Sequence, residues 1–204
     1  MKFKTREEAA KLLVKALAQY KGQNPLVLGI PRGAVPMAKI IAEGLQGEVG
    51  VVLVHKIPAP NNEELAVGSV GLSGNIQYSP YTFDGITEAY IAQAAAKQLQ
   101  VLKSRQQKYG LKTPDYTNRI VIIVDDGIAT GATVLSAISE VKSQTPKKII
   151  IATAVTAQDS ARKIRSSADE LVALYEPKEF YAVGQFFDNF AQVSDEDVIK
   201  ILKE

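Results

Sequence analysis

The sequence predicts an α/β fold in which a parallel β-sheet is flanked by helices on both faces. Short apolar runs at residues 26–30 and 120–124 are typical of strands buried on both sides of a sheet, and residues 148–155 form another predicted strand. Segments with apolar residues at helical spacing separate these runs, which is the alternation of parallel α/β proteins. Right-handed crossovers then place every strand-to-helix turn at one edge of the sheet, where ligands bind in such folds.

The N-terminal quarter of the chain contains two predicted helices and the first strand. Thr5 is followed by Arg-Glu-Glu, which is typical of a helix N-cap with acidic residues in the first turn, so a helix is predicted from there to about residue 20. The apolar run at 26–30 forms the first buried strand. Apolar residues between 35 and 45 then share one helical face, and Gly47 ends that helix.

A second buried strand is predicted at residues 49–54, ending at His55-Lys56. Residues 58–79 are rich in Pro, Asn, Gly and Ser and contain only short β-like pieces. We therefore expect a long mobile loop or a hairpin in this region.

The C-terminal half of the chain continues the alternation of strands and helices. A long polar helix is predicted at about 86–109, and the most apolar strand of the chain follows at 120–124. The remaining predicted elements are a helix at about 132–141, a strand at 148–155, a helix around 159–166, a strand at 170–175 and a short helix capped by Ser194.

A chain of 204 residues with 46% hydrophobic residues is suited to one globular domain. We expect that domain to span residues 1–204, with a core at about 20–175. A flexible loop is expected at about 57–80, and a C-terminal hood or tail at about 176–204.

The composition excludes several classes of site. The chain has no cysteine, which excludes disulfides, thiolate zinc sites and cysteine nucleophiles, and its one histidine, His55, cannot form a multi-histidine metal cage. A net charge of only +2 argues against a general electrostatic nucleic-acid binder. No stretch reads as a signal peptide or membrane anchor, so we expect no membrane partner and a cytoplasmic location.

The segment IVIIVDDGIATGATV, residues 120–134, carries the main functional signal. An apolar strand delivers Asp125 and Asp126 to its carboxyl end, and a turn with Gly127 and Gly131 opens the next helix. The first amides of a helix have no internal partners and favour anions such as a phosphate monoester. Carboxylates cannot bind a phosphate directly, but they suit vicinal hydroxyls or a hydrated Mg²⁺. A sugar diol next to a phosphate satisfies both halves of the turn.

This segment resembles the signature with which type I phosphoribosyltransferases bind 5-phosphoribosyl-1-pyrophosphate (PRPP). The resemblance implies a Rossmann-like core with a small hood and Mg²⁺ as cofactor, with Asp125 and Asp126 contacting the metal only through PRPP or water. It also implies that these two acids hold the ribose 2- and 3-hydroxyls. The PRPP-binding residues that it implies are Asp125, Asp126, Gly127, Ala129, Thr130, Gly131, Ala132 and Thr133, of which the last five hold the 5-phosphate.

Other interpretations of residues 120–134 lack required parts. A P-loop ends in Gly-Lys-Ser/Thr, but no lysine follows Gly131. A phosphoacceptor receiver domain also has paired acids at a strand end, but no second strand-end aspartate lies upstream. The remaining alternative is a buried strand before a capped helix, with Asp125 and Asp126 merely solvated.

Two further turns resemble parts of the same family. Pro31, Arg32, Gly33 and Ala34 resemble the pyrophosphate loop, in which the guanidinium of Arg32 can bind a diphosphate bidentately. His55-Lys56 resembles the basic pair before the catalytic loop of adenine and orotate phosphoribosyltransferases. We therefore predict Arg32 and Lys56 as catalytic cations, whereas a surface arginine and a strand-end lysine are the simpler alternatives.

Three other features are ambiguous. Glu63 and Glu64 in the loop are candidate proton carriers or ordinary surface acids. The basic residues Lys97, Lys103, Arg105 and Lys108 suit a solvated helix face or a dimer surface. The aromatic residues at 180–187 either flank an acceptor base or complete the core. With the turns at 31–34 and 55–56, this tail resembles a group of bacterial phosphoribosyltransferases whose acceptor is unassigned.

The family resemblance implies transfer of phosphoribose to a small nitrogenous base, with release of pyrophosphate. Hypoxanthine and guanine enzymes usually have an aspartate where this chain has Ala129, so an adenine- or orotate-like site is expected. No evident general base replaces that aspartate. A non-catalytic PRPP- or nucleotide-sensing protein on the same fold is therefore the alternative. The family is usually dimeric, so we expect a homodimer.

Overall fold

The computed structural model describes residues 1–60, 62–79, 85–112 and 115–203. In these ranges the strands are β1 (Leu26–Gly29), β2 (Glu48–Val51), β3 (Val54–Ala59), β4 (Asn62–Gly71), β5 (Ile76–Tyr78), β6 (Ile120–Asp125), β7 (Lys148–Val155) and β8 (Glu170–Tyr175). The helices are α1 (Arg6–Ala16), α2 (Val35–Leu45), α3 (Glu88–Tyr109), α4 (Ala132–Lys142), α5 (Gln158–Arg165) and α6 (Asp195–Lys203).

Five strands form a parallel sheet in the order β2-β1-β6-β7-β8. The central strand, β6, pairs with β1 from Leu26↔Val121 and with β7 as far as Asp125↔Thr153. This register brings the end of β6 to the carboxyl edge of the sheet, beside the turns that follow β1 and β7. The predicted α/β class, with a parallel sheet between layers of helices, is confirmed.

The two faces of the sheet pack into different cores because successive strand residues point to opposite sides. Ile122 and Val124 of β6 pack with helices α1 and α2, together with the tail residues Phe186 and Phe187. Val121 and Ile123 pack on the other face, with α4 and Ile164 of α5. Burial on both faces explains why the strand reads as a continuous apolar run.

Strands β3, β4 and β5 form a separate antiparallel sheet. Ile57 and Val70 of this sheet pack against Leu102 of α3 and Val198 of α6. A hairpin, which was one of the two interpretations of residues 58–79, is therefore present, and its mobility stays a prediction. Residues 61 and 80 of the predicted loop lie outside the described part of the chain, as do the side chains of Glu63 and Glu64.

The prediction of one strand at residues 49–54 was wrong. β2 ends at Val51, and β3 starts at Val54 in the other sheet. Val52 and Leu53 lie between the two strands and are both buried. Because burial continues through the break between the sheets, the apolar run continues as well and hides the break in the sequence.

The ends of the chain meet on the helical layer that contains α1. The Phe3 amide donates to the Phe186 carbonyl oxygen at 2.8 Å, and the Asp188 amide donates to the Phe3 carbonyl oxygen at 2.8 Å. The rings of Phe3 and Phe187 lie 5.6 Å apart. These contacts fix the start of α1 against the tail. None of the helices in the described ranges is both long enough and apolar enough to cross a bilayer.

Candidate functional site

Asp125 is the last residue of β6, and its carboxyl group faces a crowded turn. The amide of Asp126 donates to Oδ1 of Asp125 at 2.9 Å. Burial raises the pKa of Asp125 well above its ordinary value, and the charge of Asp126 raises it further, while hydrogen bonds from the amides of Asp126 and Gly127 partly oppose the shift. A ligand that donates hydrogen bonds to this carboxylate would stabilise its charged form.

Asp126 is paired with Arg6, a residue that the sequence did not single out. Nε of Arg6 donates to Oδ2 of Asp126 at 2.8 Å, and Nη2 lies 2.8 Å from the same oxygen. The two side chains are 14% and 13% exposed, so this pair is only weakly screened by water. The two acids therefore have different partners: Asp126 pairs with a cation, whereas Asp125 accepts hydrogen bonds from backbone amides.

The turn after the two acids is anchored at two points. The Ile128 amide donates to the Val155 carbonyl oxygen at 2.8 Å, and Ser160 Oγ donates to the Ala129 carbonyl oxygen at 2.6 Å. Ala129 and Thr130 remain exposed. The loop is therefore held from the α5 side while its outer surface faces solvent.

The N-terminus of α4 is open toward that exposed surface. Gly131, with φ of 77°, occupies the N-cap position and provides no side-chain cap. The Ala132 amide makes only a long contact, 3.5 Å, with Oγ1 of Thr130. The free amides of the first turn and the positive end of the helix dipole thus point to an anion site. The segment predicted to hold the 5-phosphate therefore presents an open helix N-terminus.

The hood reaches the same strand end at Gly127. A Cβ at this position would collide with the side chain of Val183. Of the tail aromatics, Phe186 and Phe187 are buried in the core, whereas Tyr181 is 82% exposed. Most of the aromatic cluster therefore completes the core, and Tyr181 alone offers a free ring.

The loop Pro31, Arg32, Gly33 and Ala34 lies directly beside the acids. A Cβ on Gly33 would collide with Oδ2 of Asp126 and would lie 3.0 Å from Nη2 of Arg6. Ala34 is buried at the start of α2. The predicted pyrophosphate loop and the predicted ribose site are therefore neighbours, although Gly33 and Asp126 lie far apart in sequence.

Arg32 itself points toward the N-terminus of α6. Nη1 of Arg32 lies 3.8 Å from Oδ1 of Asp195, and its side chain is 41% exposed. Hydrogen bonds from Lys108 and Tyr109 lower the pKa of Asp195 to about 2. The ion pair between Arg32 and Asp195 is long and partly exposed, so it contributes little energy. The guanidinium of Arg32 can therefore turn toward a stronger anion.

His55 and Lys56 lie within β3 and line a cavity of about 430 Å³ that also contains Thr133 and Ser136 of α4. Nδ1 of His55 lies 2.8 Å from the carbonyl oxygen of Lys56. The structure therefore brings Lys56 and Thr133 to the lining of one cavity. A larger cavity of about 850 Å³ lies at the end of β8, beside Gln158, Tyr175 and Gln185.

The strand-end acids do not form a complete metal site by themselves. No group of three or more His, Asp or Glu residues that could hold a metal occurs in the described ranges. Mg²⁺ usually keeps several waters and binds one or two carboxylates together with substrate phosphates. The donors therefore fit a hydrated Mg²⁺ that is held mainly by ligand oxygens and contacts Asp125 or Asp126 through water.

Asp125→Asn is expected to stabilise the unliganded protein at neutral pH. The pKa of Asp125 in the folded state lies above its ordinary value of 3.8. At a pH between these two pKa values the folded state binds one more proton than the unfolded state does, so the free energy of unfolding falls as pH rises through this window. Asparagine removes that loss. We expect Tm of the variant to exceed that of the wild type by a few degrees, since about 1 kcal/mol shifts Tm by roughly 2–4 °C at this size.

The measurement is Tm of both proteins from pH 4 to pH 8. The difference in Tm should increase with pH and be smallest near pH 4. A difference that stays constant or decreases with rising pH would contradict the assigned direction of the pKa shift.

In a comparison with known protein families, residues 4–186 match the family model of the phosphoribosyl transferase domain. A Mycobacterium tuberculosis protein named "Putative phosphoribosyl transferase" is 36% identical over 204 residues, which cover 98% of this chain and 46% of that protein. The chain thus spans about half the length of the curated relatives it matches.

Solved structures show the same fold. The crystal structure of TT1426 from Thermus thermophilus is 39% identical with a TM-score of 0.88, covering 99% of this chain and 98% of that one. A hypothetical protein from Neisseria gonorrhoeae with bound ppGpp has a TM-score of 0.53 at 11% identity, covering 100% and 97% of the two chains. This second likeness shows the fold alone.

Proposed function

This chain belongs to the phosphoribosyl transferase family, and we propose that it binds PRPP with Mg²⁺ and transfers the phosphoribosyl group to a nitrogenous base. One observation carries the proposal: two adjacent acids, the last residue of β6 and the residue after it, are followed within a few residues by the open N-terminus of α4. The acids accept hydrogen bonds from a ribose diol, and the amides bind its 5-phosphate.

Catalysis on this site would be mainly electrostatic. The transition state resembles an oxocarbenium ion with a departing pyrophosphate, so preorganised cations lower the barrier. Arg32 binds the pyrophosphate from the loop beside Asp126, and Lys56 contributes charge from the cavity next to Thr133. Mg²⁺ bound to the substrate supplies further neutralisation of the pyrophosphate. The fixed ribose and phosphate contribute orientation.

The acceptor is expected to be of the adenine or orotate kind rather than a 6-oxopurine. Ala129 is exposed on the turn and has no group that could accept a proton from the base. The cavity beside Gln158, Tyr175 and Gln185 is large enough for a heterocycle and offers amide and hydroxyl partners. We propose that the base enters there.

A non-catalytic PRPP- or nucleotide-sensing role on the same fold is the second candidate, and Ala129 favours it because transfer to a nitrogen requires a proton acceptor. Against it, Arg32 and Lys56 offer pyrophosphate contacts that a simple phosphoribosyl sensor does not need. We further propose that residues 1–204 act as one cytoplasmic domain and pair as a homodimer through exposed helices.

The test is pyrophosphate release from PRPP and Mg²⁺ in the presence of a panel of bases. Release that depends on one base and saturates with it supports the transferase. Tight PRPP binding without base-dependent release would favour the sensor. Failure to bind PRPP at all would contradict both the transferase and a PRPP-sensing role.

A further inference from the structure

Arg6 connects three parts of the molecule that are distant in sequence. Its Nε and Nη2 reach Oδ2 of Asp126, and its Nη1 donates to the carbonyl oxygen of Ala191 at 2.7 Å. The guanidinium also lies over the ring of Phe190, with its carbon 3.7 Å from the ring centroid. A side chain with this many contacts at 14% exposure is held in one orientation.

The contact between Arg6 and Asp126 uses only one of the two carboxylate oxygens. Both Arg6 nitrogens approach Oδ2, while no hydrogen bond to Oδ1 of Asp126 is formed by any residue in the described ranges. The guanidinium thus fixes the rotation of the carboxylate and reserves Oδ1 for a hydroxyl donor. Its charge also offsets one of two adjacent acids that would otherwise repel an anionic substrate.

Arg6 is in turn positioned by the joined ends of the chain. Thr5 caps α1 by accepting a hydrogen bond from the Glu8 amide, and the Asn189 amide donates to the carbonyl oxygen of Lys4 at 3.0 Å. The start of α1 and the segment at 186–191 are therefore joined by backbone hydrogen bonds. This junction holds the Arg6 guanidinium in place beside Asp126.

We propose that Arg6 is a positioning residue for substrate: it orients Asp126 so that Oδ1 meets the ribose. This inference rests on the proposed function, since it concerns the ribose side of that site. Arg6 does not itself touch the reacting atoms. It acts through Asp126.

Different results are expected if the ion pair between Arg6 and Asp126 is purely structural. Loss of such a pair would lower Tm but leave the Kd of the folded protein unchanged. The pair between Arg119 and Glu48 provides this comparison, because Nη2 of Arg119 lies 2.9 Å from Oε1 of Glu48 at the amino end of the sheet. Arg119→Gln should keep Kd for PRPP within about twofold of the wild type.

The experiment is a double-mutant cycle with wild type, Arg6→Gln, Asp126→Asn and the double variant. Isothermal titration with PRPP and Mg²⁺ gives Kd, and thermal unfolding confirms that each protein is folded. We expect Arg6→Gln to raise Kd about tenfold, the effect of losing one charge-assisted interaction. Because Arg6 acts through Asp126, adding Arg6→Gln to Asp126→Asn should change Kd by no more than about twofold. Arg6→Lys, which keeps the charge but not the planar fork, should give an intermediate Kd.

Two results would overturn the inference alone: wild-type Kd in Arg6→Gln, or losses in the two single variants that multiply in the double variant. If Arg6→Gln does not fold, Arg6→Lys takes its place in the same cycle and is judged by the same two results. Absence of PRPP binding by the wild type would instead overturn the proposed function, and the inference with it.

Discussion

Asp125→Asn together with Asp126→Asn is expected to weaken PRPP binding by about 100-fold or more, since each hydrogen bond to a charged acceptor contributes roughly 1.5–3 kcal/mol. Asparagine has the same shape but no charge, and one of its two polar groups is a donor that cannot accept a ribose hydroxyl. The Asp125 side chain accepts the Asp126 amide, and an asparagine oxygen can do the same, so the fold should persist. Isothermal titration with PRPP and Mg²⁺ measures the effect.

Asp115→Asn is the matched control for this double variant. Asp115 is exposed and lies just before β6, at the opposite end of the strand from the acids. Its Kd for PRPP should stay within about twofold of the wild-type value. Loss of cooperative unfolding in the double variant would show that the strand-end acids are structural. Unchanged PRPP affinity in a folded double variant would show that they do not bind the ribose.

Arg32→Met is expected to lower kcat of pyrophosphate release by about 100-fold or more, as removal of a preorganised charge from a transition state does. The ion pair of Arg32 with Asp195 is long and partly exposed, so its loss should cost little stability. Because the charge on pyrophosphate increases as the bond breaks, kcat should fall more than PRPP affinity. Lys56→Met should act in the same direction. Steady-state kinetics with the base identified in the panel provides the measurement.

Two exposed cations away from the site serve as controls for these variants. Arg162 lies on α5, where it pairs with Asp159, and Lys21 lies before β1. Arg162→Met and Lys21→Met remove equal charge and should leave kcat within about twofold of wild type. Equal losses of kcat in the controls and in Arg32→Met would show that the effect comes from the net charge of the protein and not from the position of Arg32. A normal kcat in Arg32→Met would contradict pyrophosphate binding by the loop at 31–34.

The strand and turn at 120–134 could be predicted because their signals are local. An unbroken apolar run marks a strand buried on both faces, and the acids and glycines that follow it belong to the same short segment. The registers of β6 with β1 and β7 then place the turn at the sheet edge. The structure brings Gly33 to this turn as well, which follows from the order of parallel strands.

Arg6 and Asp195 could not be found in this way. The partner of Arg6 is 120 residues away in sequence, and in its local context Arg6 is an ordinary residue in the first turn of a helix. Asp195 also has a local explanation, since acids are favoured at the start of α6. Only the folding of both chain ends onto the sheet edge shows that Arg6 meets Asp126 and that Asp195 meets Arg32.

The boundary between β2 and β3 was hidden for a different reason. Val51, Val52 and Leu53 are all buried, but they belong to the end of one sheet and the passage to another. A hydrophobic pattern reports burial and not the sheet in which a residue lies. For that reason the sequence indicated one longer strand and placed His55-Lys56 at its end.

A crystal structure of the protein with PRPP and Mg²⁺ tests the central claim most directly. It should show the ribose 2- and 3-hydroxyls within hydrogen-bonding distance of Asp125 and Asp126, and the 5-phosphate on the amides at 129–133. The claim would be contradicted by a PRPP molecule bound elsewhere, or by a ribose in this site that touches neither carboxylate.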